Sequence, residues 1–139
     1  MAEKVLTIAV PAYNAEKYLH KGLPTFLCAD NGRLEVIVVN DGSTDGTGDL
    51  AQSYAERYPG LFRVINKPNG GHGSGINTAI AAARGKYFRV VDADDWVVTK
   101  NLCPFMDTLE ASEADAVLTP FHTVDMHTGN RRRYALDEA

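Results

Sequence analysis

The chain has 139 residues, enough for one domain with a sizeable core, and 45% of them are apolar, as in ordinary globular proteins. Its 18 acidic and 14 basic residues leave a net charge of -4, which speaks against a nucleic-acid binder, since such domains carry a basic surplus. No apolar run is long enough for a signal-peptide core or a membrane span, and Cys28 and Cys103 stand far apart in apolar surroundings that suit reduced thiols. The expected compartment is therefore the cytoplasm, or its membrane face if other segments anchor the protein.

Leu6 to Val10 reads as a first strand and Pro11-Ala12-Tyr13-Asn14 as the loop at its end. Asn14 is placed to cap a helix from Ala15, with Tyr18, Leu19, Leu23, Phe26 and Leu27 near helical spacing and Gly22 and Pro24 to kink it. The turn Asp30-Asn31-Gly32 leads to Leu34–Val39, a β-branched run expected to be a central strand, with Asn40 to Asp45 as its tip. A helix is predicted over Thr47–Tyr58, a break at Pro59-Gly60, and a third strand over Phe62–Ile65. A glycine-rich loop, Asn66 to Gly75, feeds a short Ala-rich helix over Ile76–Ala83, which Gly85 is expected to stop.

The next strand, Tyr87–Val91, runs into Asp92-Ala93-Asp94-Asp95-Trp96. A helix is predicted from Thr99 or Asn101 to Ser112, a fifth strand over Ala116–Thr119, and a hairpin of Phe121–Val124 with Arg132–Ala135 about Thr128-Gly129-Asn130. The basic run Arg131-Arg132-Arg133 then reads as solvated strand or turn. Strands alternating with helices imply a mostly parallel sheet with right-handed crossovers and helices on both faces. Every polar cluster falls where a strand ends, so the clusters should converge on one edge of the sheet, the edge at which such sheets bind ligands.

Three carboxylates within four positions repel one another, and a fold that keeps them ionised usually supplies a cation. Asp-x-Asp offers hard oxygen, which suits Mg2+ or Mn2+ with phosphate oxygens completing the shell. The competing reading makes Asp94 or Asp95 a helix cap and leaves Asp92 solvated. Tyr13 either stacks on a nucleobase, with backbone groups of Pro11 and Ala12 on the base edge, or packs on the sheet edge. Asp41 either accepts from an imide N–H or makes an Asx turn. In the glycine loop, Gly71 and its neighbours invite a phosphate reading, and His72 either reaches a diphosphate or stays exposed. The loop matches neither the P-loop nor the dinucleotide-binding fingerprint.

Together Pro11-Ala12-Tyr13-Asn14, Val39 to Asp45, Asn69-Gly70-Gly71 leading to Gly75-Ile76-Asn77, Gly85-Lys86-Tyr87, and Asp92 to Trp96 resemble the family 2 glycosyltransferases over roughly residues 4 to 120. The resemblance implies a GT-A fold, an α/β sandwich that binds a nucleotide-diphospho-sugar, and transfer with inversion. By it, Tyr13, Pro11 and Ala12 hold the base and Asp41 its imide, which favours UDP. Asp92 lies near the ribose or a metal-bound water, and Asp94 ligates the metal. Asp95 and Trp96 are assigned to helix start and packing, and Lys67 or His72 to the diphosphate.

The resemblance further implies that residues 1-139 are a single nucleotide-sugar-binding domain, the N-terminal part of a longer enzyme whose general base lies beyond residue 139. Asp125, Asp137 and Glu138 match no family position for that base. The acceptor would be a polysaccharide or glycolipid. The alternative is a non-catalytic nucleotide-sugar-binding module. A sugar-phosphate nucleotidyltransferase is disfavoured, because that class carries a basic, Gly-rich loop where Pro11 to Asn14 stand.

Overall fold

The computed structural model describes residues 4–28 and 32–136, so Asp30 and Asn31 of the predicted turn lie outside the described residues. The β-branched run Leu34–Asp41 (β2) pairs with Leu6–Ala12 (β1) on one side and Phe62–Lys67 (β3) on the other. Tyr87–Val90 (β4) pairs with the far side of β1, and the sheet is parallel throughout in the order β3-β2-β1-β4.

The connections are helical: Glu16–Gly22 (α1), Thr47–Arg57 (α2), His72–Ala82 (α3) and, after β4, Leu102–Ala111 (α4). α1 stops at Gly22, and the expected kink at Gly22 and Pro24 is a change of helix type, Leu23–Phe26 continuing as a 3-10 turn. No helix among the described residues is long and apolar enough to cross a membrane.

β1 is buried along its whole length, and β2 at every position but Asn40, because helices cover both faces. Side chains alternate across the pleat. Leu6, Ile8, Val10, Leu34, Val36 and Val38 join Leu19, Leu23, Phe26, Phe62, Met106 and Leu109 in the larger core, under α1, α2 and α4. Ala9, Ile37 and Val39 face the other way and meet Ala79 of α3. Each fully buried Ile, Leu or Phe among them contributes about 1.5–3 kcal/mol. Cys28 and Cys103 pack partly buried against the larger core.

Pro11 sits inside a central strand, where a missing N–H normally breaks a ladder. The backbone of Val5 and Ala9 bonds toward β4, so the odd residues of β1 face that neighbour. β4 has ended at Val90 before the level of Pro11, and no ladder bond is lost there.

At the amino ends of the strands the buried Glu35 organises a polar knot. Its carboxylate accepts from Arg63 Nη2 at 2.8 Å, the Arg84 N–H at 2.9 Å and Thr7 Oγ1 at 3.2 Å, and Thr7 Oγ1 accepts the Gly85 N–H at 2.8 Å. Arg63 also donates to the Ala82 carbonyl, so the carboxyl end of α3 is pinned to the sheet.

Four expectations are corrected. The predicted strand at residues 116–119 forms no ladder; its neighbourhood lies along the outer edge of β4 through side chains, with Tyr87 Oη donating to the Ala114 carbonyl and Arg89 Nη1 to Thr119 Oγ1 at 2.7 Å. α3 begins at His72 rather than Ile76, so the end of the glycine loop is already helix. Gly75 seats the helix on the sheet, where its Cβ position lies 3.4 Å from that of Pro11, at ordinary contact distance. Gly85 is a close-approach residue rather than a left-handed helix stop, since a Cβ on it would fall 2.5 Å from the Thr7 nitrogen. Neither Asp94 nor Asp95 begins a helix: the chain turns there, with the Asp95 N–H on the Asp92 carbonyl, and the next helical residue is Thr99.

The hairpin forms as expected, Phe121–Val124 (β5) against Arg131–Tyr134 (β6), antiparallel and largely exposed, with Phe121 and Tyr134 stacked 5.0 Å apart.

Gly85→Ala is expected to cost about 1–3 kcal/mol, the usual cost of overpacking against backbone that cannot yield. Gly73→Ala, in the first turn of α3 with open space around its Cβ position, should be neutral or stabilise by up to about 1 kcal/mol through helix propensity. Urea denaturation of both variants checks the contrast.

Candidate functional site

The order β3-β2-β1-β4 reverses direction at β1: β2 and β3 were added on one side, and α3 carries the chain across to the other. Loops leaving β1 and β4 therefore part, and the crevice beyond their carboxyl ends is where a doubly wound sheet takes a ligand. Continuing the β1–β4 register by two residues sets Asp92 beside Pro11. Tyr13 stands one residue past the end of β1, with 56% of its surface exposed.

The loops around this crevice are fastened to one another by side chains. Asn14, at φ 46, is the only non-glycine residue with positive φ among those described. It does not cap its own helix, as the sequence suggested. Its Oδ1 accepts the N–H groups of Thr44 and Asp45 at 2.8 and 3.3 Å, in front of α2. In return, Thr47 Oγ1 accepts the Ala15 N–H at 2.9 Å and Asp45 Oδ2 the Glu16 N–H at 3.4 Å, in front of α1. Glu16 Oε2 accepts the Gly46 N–H at 2.9 Å. Each helix start is thus held in part by residues about thirty positions away, while Asp45 Oδ1 also accepts the Thr47 N–H at 2.9 Å and caps α2 locally. The Thr47 hydroxyl above all, with burial opposing, holds the Asp45 carboxyl below the ordinary carboxylate range.

Asp41, the last residue of β2, is 5% exposed. Its Oδ1 accepts Lys67 Nζ at 2.8 Å and the Gly70 N–H at 2.9 Å, and its Oδ2 accepts the Gly71 N–H at 2.9 Å. The Lys67 ammonium contributes most to holding this carboxyl below its usual range, and the two amides add to it against the effect of burial. Asn40 makes the Asx turn, its Oδ1 accepting the Ser43 N–H at 3.2 Å. Gly71, at φ 93, precedes α3, and Asp41 therefore sets where that helix begins.

His72, the first residue of α3, brings Nε2 within 2.9 Å of Asp92 Oδ1. Asp92, Asp94 and Asp95 each offer a carboxylate oxygen, all within 4.8 Å of one another and exposed. Partial burial first, and then the charges of Asp94 and Asp92, push the Asp95 carboxyl above its usual range. Hard oxygens under mutual repulsion form a donor set that fits Mg2+ or Mn2+. The acidic turn in turn leans on the end of α1. A Cβ on Gly22 would lie 2.9 Å from the Asp95 carbonyl, Lys21 Nζ sits 3.8 Å from the centre of the Trp96 ring, and the Val97 N–H reaches Thr25 Oγ1 at 3.3 Å.

The sequence profile described as Glycosyl transferase family 2 matches residues 7–137. This chain belongs to glycosyl transferase family 2. It is 35% identical over 130 residues to the uncharacterized glycosyltransferase EpsJ of Bacillus subtilis (strain 168), spanning 94% of this chain and 37% of that protein. Against the glycosyltransferase GlyG of Streptococcus pneumoniae serotype 4 the identity is 30% over 128 residues, 91% of this chain and 42% of the other.

Its fold matches S. aureus TarS 1-349 in complex with UDP-GlcNAc at a TM-score of 0.67 and 30% identity, over 76% of this chain and 31% of that one. It matches the mannosyltransferase PcManGT from Pyrobaculum calidifontis, in complex with GDP-Man and Mn2+, at 0.68 and 25%, over 81% and 34%. The architecture is the GT-A fold of glycosyltransferases, as the motifs implied. The chain spans between 31% and 42% of the length of these four relatives.

Within this family 2 chain, the predicted residues come together in pairs: Asp41 with Gly71, His72 with Asp92, and Asp92 with Asp94. Lys67, expected at a diphosphate, is engaged by Asp41 and the Pro68 carbonyl. Trp96 packs as expected, against Lys21, whereas Asp95 does not start a helix. The clasping roles of Asn14, Asp45 and Thr47 were not legible, because each partner lies about thirty residues off and no spacing rule connects them.

Because the folded carboxyl of Asp41 sits below its unfolded value, its contribution to stability is complete above the ordinary carboxylate range, near pH 4, and is lost as pH falls through the folded value. Asp41→Asn should therefore lower the urea midpoint at neutral pH. The gap from the unsubstituted chain should narrow steadily below about pH 4, the unfolded carboxylate value. A gap that stays constant with pH would show that the carboxylate charge is not what holds the loop.

Proposed function

We propose that this chain is the donor-binding part of an inverting glycosyltransferase that takes a UDP-sugar, or another nucleoside-diphosphate sugar, with Mg2+ or Mn2+. The acceptor is a polysaccharide or a glycolipid and the site of action is cytoplasmic. Transfer is assigned to the whole protein and donor binding to the residues present here. The observation that carries this reading is the cluster Asp92, Asp94 and Asp95 at the point where the parallel sheet reverses its strand order, faced by the first residue of α3. The complexes of S. aureus TarS with UDP-GlcNAc and of PcManGT with GDP-Man and Mn2+ support the donor class.

In this reading the exposed ring of Tyr13 stacks on the base. The Pro11 carbonyl, on the side of β1 that β4 leaves unpaired, accepts from the base edge together with the Ala12 backbone. Asp41 has three of its roughly four acceptor positions filled, and the remaining one, on Oδ2, accepts an imide N–H. The unpaired N–H groups of the first turn of α3, beginning at His72, face the diphosphate, with the helix dipole favouring its charge. The Gly71 N–H is already given to Asp41, so its part is the open approach left by its missing side chain. Asp94 and Asp92 hold the cation. A cation held there supplies Lewis-acid stabilisation of the negative charge that grows on the departing diphosphate.

Calorimetry of UDP with the unsubstituted chain is expected to show binding in the presence of Mn2+ that weakens sharply without it and is lost in Asp94→Asn. Tyr13→Ala should weaken the same binding by about 1–3 kcal/mol, the usual worth of one base–aromatic stack. Binding that ignores both Mn2+ and Asp94→Asn, or no binding of any nucleoside diphosphate, would leave the reading without support.

A further inference from the structure

Among the three carboxylates of the acidic turn, Asp92 is the one with a side-chain hydrogen bond among the described residues: His72 Nε2 lies 2.9 Å from its Oδ1. The two side chains are 62% and 53% exposed, and a pair so open to water contributes little to fold stability. Both backbones are nonetheless fixed. Asp41 fastens the N–H groups of Gly70 and Gly71 immediately before His72, and the Asp95 N–H closes the turn on the Asp92 carbonyl. An exposed contact between two rigid supports constrains a side chain's direction more than it stabilises the fold.

Left alone, the Asp92 carboxylate would be turned outward by repulsion from its two neighbours. The imidazole stands outside the group of mutually close oxygens and takes one oxygen of Asp92, which leaves its second oxygen to serve as a ligand. A ligating carboxylate that is itself hydrogen-bonded from behind is the arrangement by which proteins orient metal ligands, and losing the outer partner costs about 10- to 100-fold in metal affinity.

We propose that His72 is a positioning residue for the cation: it donates to Asp92 Oδ1 and thereby aims Asp92 Oδ2 at the cluster with Asp94 and Asp95. The proposal rests on the cation reading given under Proposed function, and its content is that Asp41, by fixing where α3 starts, sets the cation's ligand through His72.

The test is titration of Mn2+ alone, without nucleotide, into the intact chain by calorimetry. His72→Ala is expected to weaken the Mn2+ dissociation constant about 10- to 100-fold, with an unchanged melting temperature in chelator. His72→Gln, which keeps an N–H donor on a side chain of similar reach, should recover most of the loss. A purely structural role would not show that rescue. Mn2+ binding by His72→Ala as tight as in the unsubstituted chain, while Asp94→Asn abolishes it, would overturn the role of His72 and leave the cation reading standing. Equal losses in the Ala and Gln variants would likewise overturn it. Failure of the unsubstituted chain to bind Mn2+ alone would overturn the role of His72, and failure in the presence of UDP as well would overturn both.

Discussion

A single buried carboxylate, Asp41, decides where the glycine loop lies and hence where α3 begins. It is kept ionised by Lys67 and by two backbone N–H groups, those of Gly70 and Gly71. Burying it is tolerable only because those donors replace water, and the same donors are thereby drawn to the end of β2. The positive φ of Gly71 lets the chain reverse there into a helix whose first residue meets the acidic turn. Without that anchor, a run as rich in glycine as Asn69 to Gly75 would have little reason to adopt one conformation.

The remaining loops close a circuit around the crevice by the same means, a side chain of one loop on the backbone of the next. The loop after β1 and the loop after β2 cap each other's helices through Asn14, Asp45, Thr47 and Glu16. Asp41 joins the second to the third, His72 joins the third to the acidic turn, and Thr25, Gly22 and Lys21 return that turn to α1. Strand tips of a parallel sheet have no ladder of their own to order the loops beyond them, so rigidity at the rim comes from such links. Ligand groups held on a rim of this kind are oriented before binding, which lowers the entropy lost on association.

The two ends of the sheet use charge in opposite ways. At the amino ends Glu35 is buried and held by three donors, Arg63, Thr7 and the Arg84 N–H, in a structural knot closed off from solvent. At the carboxyl ends three acids crowd together in the open, and Asp95 is held above its usual range by burial and by its neighbours. Electrostatic tension left unrelieved by the fold is what a bound cation relieves. That difference separates the end that holds the molecule together from the end that carries the proposed site.

The sequence by itself determined the fold class and the family. The β-branched run at Leu34–Val39, the punctuation by Pro59-Gly60, and polar clusters after every strand are local signals, and a parallel sheet places the ends of such strands on one edge whatever the details. Tertiary structure alone decided who holds whom. Asn14 reads as a cap for its own helix and instead caps the other. The glycine stretch reads as loop and in part becomes helix, where Asp41 holds the N–H groups of Gly70 and Gly71 just before His72. Residues 116–119 read as a strand and stay unpaired, touching β4 only through side chains. Spacing rules reach three or four residues, whereas these contacts join positions about thirty apart, and only the packed sheet brings them together.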